Sequence, residues 1–245
     1  MRWAIIPVLA GEFGMVRDDI KFQGGDPKIM GMVPSILYLL QGEDGTKVIV
    51  DTGFGALEDV QAMGLVAKRE IPFLSLLSES GIVPEEADAL LLTHTHWDHA
   101  ENCGIFSKAQ VFCQQQDWDY AFSKAAEYTE KLRDALRTIS LRTSLLQGDT
   151  SVYPGIRALC FGGHIPGSQC FEVETTEGTV FLCGDDIMTF RNVEEGIPVG
   201  LCVDTHSCQR AIRYVREHEN VHYLLPSHDY RTLLYVHDKE SCRIR

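Results

Sequence analysis

The stretch Leu92-Thr93-His94-Thr95-His96-Trp97-Asp98-His99 constrains this chain more than any other. Three histidines and an aspartate fall within six residues, directly after the apolar run Ala89-Leu90-Leu91-Leu92. Such a run predicts a buried strand, so the histidines open a loop at a strand end. Neutral imidazoles and a carboxylate are the donors that a zinc-type divalent ion takes. His94 and His96 point the same way in extended backbone, while Asp98 and His99 follow in the turn and can face its other side. One loop can therefore begin two metal sites, each needing further ligands from elsewhere in the chain.

Composition narrows the setting. The 245 residues bound the chain to one large domain or two small ones, and 44% hydrophobic content is ample for a sizeable core. No linker or low-complexity tract divides it, so 1–245 reads as a single domain. A formal net charge of -13 disfavours a nucleic-acid partner, which calls for a basic face. It leaves a small-molecule substrate open, because a bound metal reverses the local field. The eight cysteines (Cys103, Cys113, Cys160, Cys170, Cys183, Cys202, Cys208 and Cys242) form no C-x-x-C pair and sit mostly in apolar runs. They read as buried thiols in a reducing, cytoplasmic setting. The N-terminal apolar run Ala4-Ile5-Ile6-Pro7-Val8-Leu9 is too short to span a membrane and reads as a first strand.

Further strands are expected at 35–40 and 47–50, joined by the turn Glu43-Asp44-Gly45-Thr46, with a long functional loop at 17–31 before them. The second strand ends in Asp51-Thr52-Gly53-Phe54-Gly55, where Asp51 alone reads as the cap of a turn. Residues 56–81 carry helical spacing, and a strand over 87–92 leads into the histidine loop. After a short strand at 110–113, residues 114–146 read as two helices forming a cap. A second run of strands follows (152–153, 156–161, 169–175 and 179–183), then an irregular stretch over 187–204. A helix over 206–218, a last strand at 222–225 and a polar surface tail from Tyr235 complete the chain.

His164 and Asp185 each follow an expected strand and lie beside glycines, and His228 follows a strand and a proline. A sandwich whose strand ends converge would bring these groups to one rim with the loop, and Asp185 has two oxygens with which to bridge two ions. His206, His218, His222 and His237 lack that context and read as ordinary helix, strand or tail residues.

The run His94-Thr95-His96-Trp97-Asp98-His99 matches the H-x-H-x-D-H signature of the metallo-β-lactamase superfamily. The resemblance continues in order: Asp51-Thr52-Gly53, Gly163-His164-Ile165-Pro166-Gly167, Cys183-Gly184-Asp185 and Ser227-His228 are similar to its later motifs. It implies an α/β fold, an αββα sandwich of two β-sheets flanked by helices, with a dinuclear site at one edge. It implies His94, His96 and His164 on one ion, Asp98, His99 and His228 on the other, Asp185 bridging, and Asp51 behind them holding a ligand or the loop. Within the superfamily the chain most resembles the N-acyl homoserine lactonase group, through Val33-Pro34-Ser35-Ile36-Leu37-Tyr38-Leu39 and Val50-Asp51-Thr52-Gly53-Phe54-Gly55. Met188 stands where those enzymes commonly have a tyrosine, Ala100-Glu101-Asn102 where glycines are usual, and Ser168 where a histidine is common.

This reading implies two divalent ions, zinc first, with manganese or iron able to take the same donors. Two such ions share a hydroxide that attacks a carbonyl carbon, and Asp98 or Asp185 carries the proton to the leaving group. The leading expectation is a hydrolase of a lactone or related small cyclic carbonyl compound. The alternative is a thioester hydrolase of the glyoxalase II type, with Arg133, Arg137, Arg142 and Arg191 available for an acidic portion of the substrate. A metal-binding sensor on the same scaffold is the non-enzyme alternative.

Overall fold

Along Ile36-Leu37-Tyr38-Leu39-Leu40 every side chain is buried. Ile36, Tyr38 and Leu40 join one hydrophobic cluster, and Leu37 and Leu39 join another. A strand with two apolar faces must be covered on both, by a second sheet on one side and helices on the other. That requirement organises the computed structural model, which describes residues 1–244.

The first sheet is built from β1 (Trp3–Arg17), β2 (Met30–Gly42), β3 (Lys47–Val50), β4 (Val66–Lys68), β5 (Ala89–Leu91), β6 (Gln110–Gln114) and β7 (Thr143–Leu146), in the order β4-β1-β2-β3-β5-β6-β7. Its β1 to β4 half is antiparallel, while β3, β5, β6 and β7 pair in parallel. The second sheet contains β8 (Thr150–Tyr153), β9 (Ile156–Cys160), β10 (Gln169–Thr175), β11 (Gly178–Cys183) and β12 (Val221–Pro226), in the order β12-β11-β10-β9-β8. Only its β11–β12 pair is parallel.

The helices are α1 (Asp18–Lys21), α2 (Leu57–Ala62), α3 (Phe73–Glu79), α4 (Trp97–Ala100), α5 (Gln115–Ala121), α6 (Glu130–Ile139), α7 (Phe190–Glu195) and α8 (Thr205–Glu217). Leu132, Leu136 and Ile139 of α6 and Leu77 of α3 pack with Leu37, Ile49, Leu90 and Val111 of the first sheet. Ala211, Ile212 and Val215 of α8 pack with the second sheet, in the cluster that also fills the space between the sheets. The result is the αββα sandwich that the family resemblance implies. Among the described residues no helix is long and apolar enough to cross a membrane, and all eight cysteines are free.

Several local expectations change. Residues 56–81 are not helical throughout: Val66–Lys68 pairs with Glu12, Phe13 and Gly14 of β1 as an edge strand. Residues 143–146 are strand β7, paired with β6, rather than the end of a helix. The segments 17–31 and 187–204 contain α1 and α7. In the tail, Tyr235 and Cys242 are buried rather than at the surface, with Tyr235 edge-on to Tyr223 of β12. The two strands come from pairings with residues far away in the chain, which local spacing does not encode.

Candidate metal centre

The strands β3, β5, β11 and β12 run to one rim, and their C-terminal ends deliver Asp51, His94, Asp185 and His228 there. His164 comes from the β9–β10 connection, and α4 adds Asp98 and His99. Three groups of side chains each present ligand atoms within 4.8 Å of one another: His94, His96 and His164; Asp98, His99 and His228; and His94, His99 and Asp185. All are buried except His96, which is half-buried.

Backbone and side-chain acceptors fix which nitrogen each imidazole offers. His164 Nδ1 donates to the Leu201 carbonyl at 2.6 Å, and His228 Nδ1 donates to the Pro34 carbonyl at 2.7 Å. His99 Nδ1 bonds Asp51 Oδ2 at 2.8 Å. In the neutral ring each Nε2 then carries the lone pair and is aimed inward. His99 Nε2 and His228 Nε2 face each other at 3.2 Å, and His164 Nε2 faces His96 Nδ1 at 2.9 Å. Facing lone pairs are stable only with a cation or a shared proton between them. His94 Nε2 and Asp185 Oδ1 are buried without any hydrogen-bond partner. These orphaned donors, with their N/O chemistry, fit divalent ions.

Asp185 divides its oxygens between the two sides. Its Oδ1 lies 3.1 Å from His228 Nε2 and 3.3 Å from His99 Nε2. Its Oδ2 lies 3.5 Å from His164 Nε2 and 4.0 Å from His94 Nε2. Asp98 Oδ2 lies 3.4 Å from His228 Nε2 and 3.6 Å from His99 Nε2.

The charges follow. Burial, reinforced by neighbouring imidazoles, pushes His94 and His96 well below the usual histidine range and keeps them neutral, as ligands must be. Burial also opposes charge on His99, yet the carboxylates of Asp98, Asp185 and Asp51 hold its pKa well above that range. His228 is likewise raised against the cost of burial, chiefly by Asp185. Burial opposes the charge of Asp185 as well, yet His228, His99 and His164 hold it well below the usual carboxylate range. The pocket demands positive charge at its centre.

Asp51 is more than a turn cap. It adopts φ 59, a left-handed conformation that Asp tolerates better than most residues. From there Oδ1 accepts from the Thr93 amide at 2.8 Å, and Oδ2 accepts from Thr93 Oγ1 at 2.7 Å as well as meeting His99. Other supports escaped sequence reasoning. Asp186 Oδ1 accepts from the Gly163 and His164 amides at 2.9 and 2.8 Å, and Ser168 Oγ bonds both Asp186 oxygens at 2.9 Å. Asp186 therefore cradles the His164 loop, and Ser168 steadies it. Glu101 Oε2 accepts from the Gly55 amide at 2.7 Å, and Asn102 Nδ2 donates to the Thr52 and Phe54 carbonyls at 2.9 and 2.7 Å. These residues fasten the Asp51 turn to the end of α4. The adjacent GD-D and E-N positions were the available signals, but their partners are backbone groups that motif spacing does not name.

A cleft of about 510 Å³ opens over His96, Asp98, His164 and Asp185. Its walls are largely apolar, with Met15, Ile20, Met63, Trp97, Met188 and Leu201 among them. The segments expected around the substrate, 17–31, 187–204 and 114–146, all contribute, joined by β1 and by Met63 and Leu65.

A model of the metallo-beta-lactamase superfamily matches residues 31–228. The sequence is 30% identical over 178 residues to an N-acyl homoserine lactonase of Bacillus cereus, covering 68% of this chain and 69% of that one. It is 24% identical over 233 residues to an N-acyl homoserine lactonase of Agrobacterium fabrum, covering 85% and 81% respectively. The fold superposes with a TM-score of 0.81, at 24% identity and covering 100% of this chain and 98% of the other, on an N-acyl homoserine lactone hydrolase solved with the product N-hexanoyl-L-homoserine at its catalytic metal centre.

Proposed function

The chain belongs to the metallo-β-lactamase superfamily, and from that premise we propose that it is a dinuclear metal hydrolase that opens a lactone or a related small cyclic carbonyl compound. The observation that carries this reading is Asp185, whose two oxygens face two separate sets of converging donors at the floor of an apolar cleft. Lactonases among the relatives support the choice of substrate class. His94, His96 and His164 would hold one ion and Asp98, His99 and His228 the other, with Asp185 within reach of both sets. Zinc suits these nitrogen and oxygen donors, and manganese or iron can replace it. When bound, such ions would supply Lewis acidity and activate water at neutral pH.

The rest is the work of the chain. Leu201 and Pro34 carbonyls and the Asp51 carboxylate aim the imidazoles. The apolar walls exclude water and seat the aliphatic part of the substrate. Asp98, 7% exposed and lining the cleft, is placed to pass a proton to the departing alkoxide oxygen, with Asp185 beside it. Eight free thiols favour a reducing, cytoplasmic setting.

The thioester alternative loses its anionic anchor. Arg133 and Arg142 spend donors on backbone carbonyls, and Arg137 and Arg191 pair with carboxylates. None of these arginines lines the cleft. The test is turnover by zinc- or manganese-loaded protein on an N-acyl homoserine lactone, an unsubstituted lactone and an acyl thioester. Ring opening should dominate, and cleavage of the thioester alone would overturn the reading.

A further inference from the structure

Asp117 is a buried carboxylate whose place the fold does not explain. It is 1% exposed, and no cation is among its partners. Oδ1 bonds Thr95 Oγ1 at 2.6 Å, and Oδ2 accepts from the Cys113 thiol at 3.4 Å. An uncompensated carboxylate of this kind costs stability, and Thr95 lies between His94 and His96. Thr95 Oγ1 also lies 3.2 Å from the hydroxyl of Tyr128. The ring of Tyr128 stands edge-on to His96, with centroids 5.6 Å apart, and lines the cleft. The three groups form a chain from the protein interior to the cleft wall.

The cleft has few hydroxyl donors. Met188, three residues beyond Asp185, presents a thioether, and the hydroxyls among the lining side chains belong to Tyr120 and Tyr128. The reaction proposed above develops negative charge on the substrate carbonyl oxygen, and a preorganised donor there lowers the barrier. Tyr128 is the phenol held by a buried network and packed on a candidate ligand. Resting on the hydrolase reading, we propose that the Tyr128 hydroxyl donates to the carbonyl oxygen of the bound substrate, and that Thr95 and Asp117 are the positioning residues that hold it there.

Counting hydrogens supports this direction. Two links need two hydrogens. With Asp117 protonated the chain holds three, so the proton of Tyr128 is free to face the cleft. Burial pushes the Asp117 carboxyl up to about 7, so that form is populated at neutral pH.

The experiment compares metal-loaded wild type, Tyr128→Phe, Tyr120→Phe, Thr95→Val and the Tyr128→Phe/Thr95→Val double variant on a lactone, with metal content measured for each. Tyr128→Phe should lower kcat by about 10²-fold with KM and metal content little changed. Thr95→Val should also lower kcat, but should add nothing in the Tyr128→Phe background, because it acts through the phenol. Independently of turnover, a ring-13C tyrosine signal that is missing in Tyr128→Phe should shift when the ring-opened hydroxy acid is added to wild type. An unchanged kcat in Tyr128→Phe, or a loss confined to Tyr120→Phe, overturns the proposal while leaving the hydrolase reading intact. Absence of turnover by the wild type overturns both.

Discussion

The two halves of the candidate centre are built on different electrostatic terms. His94, His96 and His164 are imidazoles without a carboxylate of their own, borrowing only Asp185 Oδ2, and His96 faces the cleft. Asp98, His99 and His228 include one carboxylate, a second behind His99 in Asp51, and Asp185 Oδ1 in front. Burial and neighbouring imidazoles push His94 and His96 down, while carboxylates hold His99 and His228 up against the same burial. The second half therefore carries the more negative surroundings, and the first half faces the cleft through His96 and His164. Asp185 joins the unequal halves.

Replacing Asp185 by Ala should have the largest effect, because it touches both halves. Turnover should fall on the order of 10³-fold or more, with weaker metal retention on both sides. A mild loss, in steady-state kinetics and metal analysis of the variant, would break the assignment of the bridge. Asp51→Asn should separate the halves. An amide nitrogen turned toward His99 Nδ1 forces the other tautomer and protonates the nitrogen meant for the ion. Affinity for one ion should drop about 10–100-fold while the other is held, as read by competition with a coloured chelator. Equal weakening of both ions would show that the halves are not distinct.

Asp117→Asn should have a smaller effect, read most directly in the pH dependence of stability. The wild-type carboxyl is raised to about 7 by burial, so between its ordinary range near 4 and about 7 the folded state holds a proton that the unfolded state has lost. Its contribution to stability is present at low pH and lost as pH rises through about 7. The amide cannot ionise, so urea unfolding of the variant relative to wild type should improve between pH 5 and pH 8, by a few kcal/mol. A pH-independent difference would remove the buried-charge account of Asp117.

How much was legible follows from which interactions are local. The strands at 35–40, 47–50 and 179–183 announced themselves through apolar runs and turn residues, and the metal-type side chains through spacing at strand ends. The edge strand Val66–Lys68 did not, because three residues paired to Glu12, Phe13 and Gly14 carry no period of their own. Strand β7 was hidden behind the helical pattern of α6, and the buried tail behind its polar composition. Within the site, the donor types were readable, but the groups that aim them were not. Carbonyls of Pro34 and Leu201 have no sequence signature. Asp186 and Asp117 look like surface acids until the fold buries them.

The most direct measurement is the metal content of the purified wild-type protein by elemental analysis, repeated after zinc or manganese is offered and excess is removed. A paired site should retain about two divalent ions per chain. A chain that holds none, before or after loading, would contradict the dinuclear centre on which the proposed hydrolysis depends.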